Sequence, residues 1–436
     1  MKFPRSMAAA LGAAAVTLPV GLVAFGIGAG SERPAASSGS ESRVSLATAT
    51  TDERIALLTD AVQAQPSGTV AQTLLAGTYL QKIRETGDPL FYGKAAALLD
   101  DVLARAPRDV GALTERGNLR ISRHDFDGGL ADGQRALRIE PDVVKPLGVV
   151  VDGLVELGRY REAGRVLQRY LDRKPGLSSY TRASYFRELH GDLRGATRAL
   201  ELAAAAGGGT AENTAYVQSL LGHVWFVRGD LARSGRAYRQ ALSRFAGFKA
   251  AVSGLTQVRA ARGDLRGALA LIVPEADNGG GPRELVLAAQ IERALGLVAD
   301  ARRHERAALE AVRFEETQGV DIGADRTVLE AQFGSRSDAV RLGREAWRLA
   351  PSVRTAGALG WALTRNGRPE EGLRFARRAL RLGSADPVWL YHAGIAARNA
   401  GRPAEARSLL TRSLARNPAF SPLLAPRARR ALSALR

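Results

Sequence analysis

The residues that could support catalysis in this 436-residue sequence do not stand at the spacings that catalysis needs. His304-Glu305 begins like a zinc-peptidase motif, but the second histidine of that motif is missing. Gly93-Lys94 is like the end of a phosphate-binding loop, but Ala95 lacks the hydroxyl that would hold Mg²⁺. The five histidines are scattered, and the absence of cysteine excludes thiolate metal sites and a cysteine nucleophile. The sequence therefore predicts a protein that is not an enzyme and binds no cofactor or metal.

The charge of the chain is strongly positive. It has 62 Lys and Arg against 44 Asp and Glu, a formal net charge of +18, and all but six of the basic residues are arginine. Such a surface attracts acidic proteins, lipid headgroups, cell-wall polymers or nucleic acid. A functional origin and a purely compositional origin of the arginine content both stay open.

The N-terminal residues have the features of a targeting segment. Lys2 and Arg5 precede an uncharged, mostly apolar run from Met7 to Gly30, and a Ser- and Ala-rich stretch follows. Export machinery reads a basic start followed by an apolar run, and about 24 residues are also long enough to span a bilayer. We therefore predict a cleaved signal peptide or a membrane anchor over residues 1–30 and a disordered linker over 31–50. Either alternative predicts a protein that is exported, and then secreted or anchored on the outer face of the membrane.

A short phrase that begins with glycine recurs through the rest of the chain. Its eight clear copies start 33 to 38 residues apart, at Gly158, Gly191, Gly229, Gly263, Gly296, Gly334, Gly367 and Gly401, and a weaker copy starts at His124. A glycine just past a helix end accepts the left-handed conformation without a Cβ clash. An Asp after it, as at Asp192, can cap the next helix, and a Pro two positions after it, as at Pro369, suits the first helical turn. The phrase thus predicts repeated helix–turn–helix units.

This pattern resembles the tetratricopeptide repeat, whose units are about 34 residues long. One copy has Leu221-Gly222 and Trp225 at motif positions of the first helix, and Ser234, Tyr238 and Ala241 at those of the second. The resemblance implies an all-α fold, a right-handed superhelical solenoid of about ten antiparallel helix pairs over residues 51–420. We expect residues 421–436 to form a capping helix, because terminal repeats must cover an apolar face.

The resemblance also implies a groove lined by the first helix of each pair. The ninth residue of each first helix would then face it: Thr78, Asn118, Asp152, Tyr185, His223, Gln257, Gln290, Val328, Trp361 and Ile395. Most of these are polar, and such a ladder could hydrogen-bond an extended peptide. Arg293, Arg365 and Arg398 would lie further along, near Trp361 and Tyr391, and would suit an acidic segment or a C-terminal carboxylate. An inner face that is only solvated is the alternative.

The sequence therefore predicts an exported or membrane-tethered scaffold that binds a protein or peptide, acidic in one reading, in the groove of the array. Contact of the arginine-rich outer faces with an anionic membrane or cell-wall surface is a further expectation. One alternative is a binder of an anionic polymer, although nucleic acid is the less favoured partner because export would separate the two. Another is an accessory subunit of an envelope enzyme.

Overall fold

The computed structural model describes residues 49–207 and 210–435, and these residues form 22 helices and no strand. The predicted signal peptide or anchor (1–30) and nearly all of the predicted linker (31–50) lie outside the described residues. Within the described ranges, no helix combines the length and the apolar character that crossing a membrane requires.

The helices are numbered in chain order. The first eleven are α1 (Thr51–Ala64), α2 (Thr69–Thr86), α3 (Leu90–Arg105), α4 (Val110–Ser122), α5 (Phe126–Ile139), α6 (Lys145–Glu156), α7 (Tyr160–Arg173), α8 (Leu177–Leu189), α9 (Leu193–Ala205), α10 (Ala211–Val227) and α11 (Leu231–Arg244). The others are α12 (Lys249–Ala261), α13 (Leu265–Asp277), α14 (Pro282–Leu295), α15 (Val298–Thr317), α16 (Gly323–Phe333), α17 (Arg336–Leu349), α18 (Val353–Arg365), α19 (Pro369–Ala379), α20 (Pro387–Asn399), α21 (Pro403–Arg416) and α22 (Leu424–Ser433).

Helices α2 to α21 pack as ten consecutive pairs, with α1 before the first pair and α22 after the last. Each pair packs on the next through the contact of its second helix with the following first helix, and in most cases the two first helices also touch. The prediction of an all-α solenoid of about ten helix pairs, like that of tetratricopeptide repeats, is confirmed.

The helix starts follow from the residues identified in the sequence. Asp192, Asp230 and Asp264 each accept a hydrogen bond of 2.8 Å from the backbone N–H three residues on, which supplies an acceptor to an otherwise unpaired helix end. Pro369 and Pro403 are the first residues of α19 and α21, where the missing N–H costs no hydrogen bond.

The turn between the two helices of most pairs contains a residue with positive φ. Seven of the eight repeat glycines have it, with φ between +69° and +88°, and Gly334 is the exception. The weaker copy has no glycine at this point, and His124 takes the same conformation with φ +63°, the only described non-glycine residue to do so. The pair around His124 therefore has the same turn despite the different residue.

Small residues allow the two helices of a pair to approach closely. Ser234 of α11 donates a hydrogen bond of 2.7 Å to the carbonyl of Gly222 in α10. In the pair α18–α19, a Cβ on Gly372 would lie 2.8 Å from the carbonyl oxygen of Gly360. Any side chain at Gly372 would push these helices apart, which explains the small residue in the repeated phrase.

The array returns alongside itself after about 193 residues, which is between five and six helix pairs. The backbone N–H of Asp321 donates to the carbonyl of Arg123, and the backbone N–H of Val353 donates to the Tyr160 hydroxyl, both at 2.8 Å. Asn417 Nδ2 donates at 2.8 Å to the carbonyl of Phe226. Because these contacts all span 191 to 198 residues, the later pairs form a second superhelical turn that packs on the first.

Candidate anion-binding site

Hydrogen bonds within the chain already use several of the predicted groove residues. Asn118 is buried and its amide donates to Glu115 Oε2 at 3.1 Å. Gln290 is also buried, and its carbonyl oxygen accepts a hydrogen bond of 3.4 Å from Ser421, which lies 131 residues later. The hydrogen bond of Asn118 thus stays within its own helix, whereas that of Gln290 joins two distant parts of the array.

Asp152 forms the most deeply buried ion pair of the described chain. Arg182, one repeat later, donates to it through Nε at 2.9 Å and through Nη2 at 2.6 Å, and both side chains are almost fully buried. Burial raises the pKa of Asp152 to about 6, although Arg182 acts in the opposite direction. The guanidinium of Arg182 passes within 3.0 Å of where a Cβ on Gly148 would lie, so the glycine provides the space for this pair.

Tyr185 belongs to a network that joins the two superhelical turns. Its hydroxyl donates to Glu156 Oε1 at 3.1 Å, and Glu156 faces Arg354 of the second turn. Arg354 in turn donates to Asp325 at 2.6 Å. These side chains are buried, and the attraction between Glu156 and Arg354 helps to hold the two turns together.

His223 and Gln257 line a cavity of about 50 Å³ inside the superhelix, large enough for water but not for a peptide. His223 Nε2 lies 3.1 Å from Glu188 Oε1. The central part of the predicted groove is thus narrow, because residues from the second turn close it.

These inner contacts follow one rule: a polar side chain on one first helix pairs with a side chain about one repeat away. The separations are 30 residues for Asp152–Arg182, 35 for Glu188–His223 and 29 for Asp325–Arg354, and in each case an acid is one member. The rule neutralises the charge of the inner face over most of the array.

The rule fails at the C-terminal end, where the residue about one repeat away from an arginine is another arginine. Arg365 on α18, Arg398 on α20 and Arg427 on α22 are 33 and 29 residues apart. Arg336, the first residue of α17, lies near them. We call these four residues the arginine site. No carboxylate in residues 49–207 or 210–435 forms an ion pair with any of them within 4.0 Å.

An open cavity of about 370 Å³ lies at this site. Arg336 and Arg365 line it together with Thr364, Asn366, Gly367, Ile395 and Asn399. Burial lowers the pKa of Arg365, and the positive charges of Arg336 and Arg427 lower it further. The neighbouring cations disfavour the charged form of the Arg365 guanidinium. A bound anion would stabilise that charged form.

Aromatic side chains beneath the site position the arginines. The rings of Trp361 and His392 stack with centroids 4.0 Å apart and planes at 13°, and the guanidinium of Arg365 lies over Trp361 at 5.7 Å. Burial and then Arg365 lower the pKa of His392 to about 3, so it is neutral at physiological pH. Trp361 and Tyr391 are only 6% and 4% exposed, which leaves their faces unavailable to a ligand.

The sequence identified part of this site. Arg365 lies over Trp361, and the charge of Arg398 acts on Tyr391, whereas Arg293 forms a two-bond ion pair with Glu305 at 2.8 and 2.7 Å. Sequence reasoning assigned neither Arg336 nor Arg427 to the groove. The signal for Arg427 was its position 29 residues after Arg398, close to the repeat length. Glu305 lies on α15, which pairs with α14, the helix of Arg293. The repeat pattern in the sequence already placed these two residues on paired helices.

Comparisons with known proteins extend this description only at the level of the fold. No family model and no curated protein matches the chain. The human IFIT1 dimer with PPP-AAAA is similar at 15% identity over 73% of this chain and 73% of that one, with a TM-score of 0.46. The APC/C hetero-tetramer Cut9-Hcn1 is similar at 14% identity over 91% of this chain and 69% of that one, with a TM-score of 0.41. These are similarities of helical-repeat architecture, and at such values they carry no argument about function.

Proposed function

We propose that the chain is an exported or membrane-tethered scaffold, without enzymatic activity, that binds an acidic segment of another protein at the arginine site. One observation carries the binding part: Arg336 and Arg365 line an open cavity of about 370 Å³, Arg427 and Arg398 add positive charge near it, and none of the four has a described carboxylate partner. Arginine forks match the geometry of carboxylates and bind them through two parallel hydrogen bonds. The composition agrees, because residues 351–436 contain 16 arginines and only four carboxylate side chains.

The aromatic residues favour an acidic protein over nucleic acid. Proteins that bind single-stranded nucleic acid offer aromatic faces on which bases stack. At the arginine site Trp361 is covered by His392, and Tyr391 is buried. The site offers charge and forked hydrogen-bond donors without a stacking surface, which suits carboxylates.

The binding test compares two triple variants of equal charge. Fluorescence anisotropy would measure the affinity for a labelled peptide of ten residues rich in Glu, for its Gln counterpart, and for a single-stranded RNA of equal charge. R365Q/R398Q/R427Q removes three members of the site. R348Q/R374Q/R412Q removes three exposed arginines of the outer face from the same part of the array.

We expect the Glu peptide to bind, the Gln peptide to bind much more weakly, and the site variant to lose at least about tenfold in affinity, which corresponds to about 1.4 kcal/mol. The outer-face variant should lose no more than about twofold. Equal losses in the two variants would mean that net charge alone attracts the peptide. Tighter binding of the RNA than of the peptide, with the same dependence on the site, would replace the acidic partner by nucleic acid.

The export part of the proposal rests on residues 1–30 alone. Deleting these residues should leave the protein in the cytoplasm of its host, as measured by fractionation, and sequencing the N terminus of the mature chain would distinguish a signal peptide from an anchor. Unchanged delivery of the deletion variant would contradict the export proposal without affecting the binding proposal.

A further inference from the structure

The second superhelical turn meets the first at the central cavity. The cavity is lined by residues of α10, α12 and α14 from consecutive pairs, and by Asp386, Pro387, Val388 and Phe420 from the later part of the chain. Asn417 and Phe226 form their inter-turn hydrogen bond close to this point. The cavity is therefore a joint between the two turns.

A histidine of the first turn and an aspartate of the second line the cavity at this joint. His223 on α10 contacts Glu188 of α8 at 3.1 Å, and it also experiences the charge of Asp386 from the second turn. The other ionisable groups that face it are Arg283 on α14 and Tyr238 on α11, whereas α12 contributes only uncharged residues. When His223 is protonated, its positive charge joins an acid of the first turn to an acid of the second.

Asp386 connects this joint to the arginine site. Its Oδ1 accepts hydrogen bonds from the backbone N–H groups of Val388 at 2.7 Å and Trp389 at 3.0 Å, and so caps the N-terminal end of α20. The same helix carries Tyr391 and Arg398. The position of the capping carboxylate therefore affects the helix that presents one of the four arginines.

We propose that protonated His223 is a latch that holds the start of α20 against α8 and α10, and that its deprotonation loosens the second turn and weakens the arginine site. The effect on the arginine site rests on the proposed function, whereas the latch itself does not. Without the proton, the negative charges of Glu188 and Asp386 act on each other, and Arg283 is the remaining cation that acts on this group.

The direction of the pH dependence follows from the surroundings of His223. Burial lowers its pKa, but the charge and hydrogen bond of Glu188, and then Asp386, raise it more, so the pKa lies above the ordinary value of 6.5. A group whose pKa is raised by folding contributes its full stabilisation below its unfolded pKa. The latch should thus be closed at about pH 6 and open as the pH rises through the raised pKa.

The absence of cysteine allows the distance between turns to be measured directly. Arg194 on α9 and Arg374 on α19 are exposed, lie in different turns, and can be replaced by spin-labelled cysteines. Pulsed electron paramagnetic resonance at about pH 6 and about pH 9 should show a longer and broader distance distribution at the higher pH. H223Q should give the loosened distribution at both values, and H223K, which keeps a positive charge, should give the closed one at both.

The matched control is H304Q. His304 also contacts two carboxylates, Glu292 at 2.8 Å and Asp277 at 3.2 Å, but all three belong to neighbouring helices α13 to α15 of one turn. This variant should keep the pH response of the parent chain. The latch is overturned if the parent chain gives the same distances at both pH values, or if H223K still responds to pH.

The arginine site is tested separately with the Glu-rich peptide. We expect its affinity for the parent chain to fall about fivefold between pH 6 and 9, the lower end of usual coupling between sites, and to stay constant for H223K. The glutamate side chains of the peptide stay charged over this range. If the peptide does not bind at any pH, the proposed function is contradicted. The distances between the two turns would still test the latch. If the peptide affinity stays constant with pH while the distances between the turns change, only the coupling between the latch and the arginine site is contradicted.

Discussion

The contact between the two superhelical turns can be tested by substituting glycines that lie at this interface. Gly229 has φ +79°, and a Cβ there would lie 2.8 Å from the carbonyl oxygen of Arg416 in the second turn. Gly367 has φ +76° and stands at the same place in its own pair, but a Cβ there would have no neighbour within 4 Å. G229A and G367A therefore share the backbone strain and differ in the contact between turns.

The two losses of stability can be estimated from these contacts. The left-handed conformation costs alanine about 1–2 kcal/mol in both variants. In G229A the Cβ must move away from the oxygen, and such overpacking adds about 1–3 kcal/mol. The same movement stretches the neighbouring hydrogen bond between Asn417 and Phe226, which is worth about 1 kcal/mol. We expect G229A to lower the free energy of unfolding by about 2–6 kcal/mol, against about 1–2 kcal/mol for G367A.

Urea denaturation followed by circular dichroism would measure both losses, with equal m-values as the check that they can be compared. Small-angle X-ray scattering would show whether the radius of gyration grows in G229A and not in G367A. G191A extends the series, because a Cβ there would come even closer to the carbonyl of Gly383. Equal losses and equal radii for G229A and G367A would refute the packing of one turn on the other.

Three further predictions concern single groups. The ring of His392, whose pKa is lowered to about 3, should not titrate between pH 8 and 5 in NMR spectra, and since its folded pKa lies below its unfolded one, H392F should reduce the loss of stability as the pH falls below about 6.5. N417A should cost about 1 kcal/mol in urea denaturation because it removes the hydrogen bond from the Asn417 amide to the Phe226 carbonyl. R293Q should leave affinity for the Glu-rich peptide unchanged in anisotropy titrations, since Glu305 already binds Arg293.

The helix pairs could be predicted from the sequence because the signals are local. A turn glycine, a capping Asp and a Pro in the first turn act within three or four residues, and the helices begin and end beside them. The packing of the second turn on the first depends on small angles between successive pairs, which add up over five or six units. No local pattern reports that sum, and contacts such as that of Tyr160 with Val353 were not predictable.

The inner face was predictable only in part for a related reason. The repeat period places Asp152 and Arg182 on neighbouring first helices, but whether their side chains pair or face a ligand depends on packing. Gly148 decides this case, because it leaves room for the guanidinium. Arg365 and Arg398 were recognised from the same period, whereas Arg427 was not, because its helix was interpreted only as a cap.

The arginine site should cost the free protein some stability, and this can be measured at Arg398. Its neighbours one repeat away are Arg365 and Arg427, where earlier parts of the inner face have an acid. R398E restores the alternation of charge, so we expect it to raise the free energy of unfolding by about 0.3–1 kcal/mol, the scale of exposed ion pairs, while it removes binding of the Glu-rich peptide. R374E, an exposed change on the outer face, should alter neither by a comparable amount. If R398E is less stable, or still binds the peptide, the assignment of Arg398 to the arginine site is contradicted. Arg365, Arg398 and Arg427 would then not act together on one ligand. Gain of stability with loss of binding is the pattern of a residue retained for a ligand rather than for the fold.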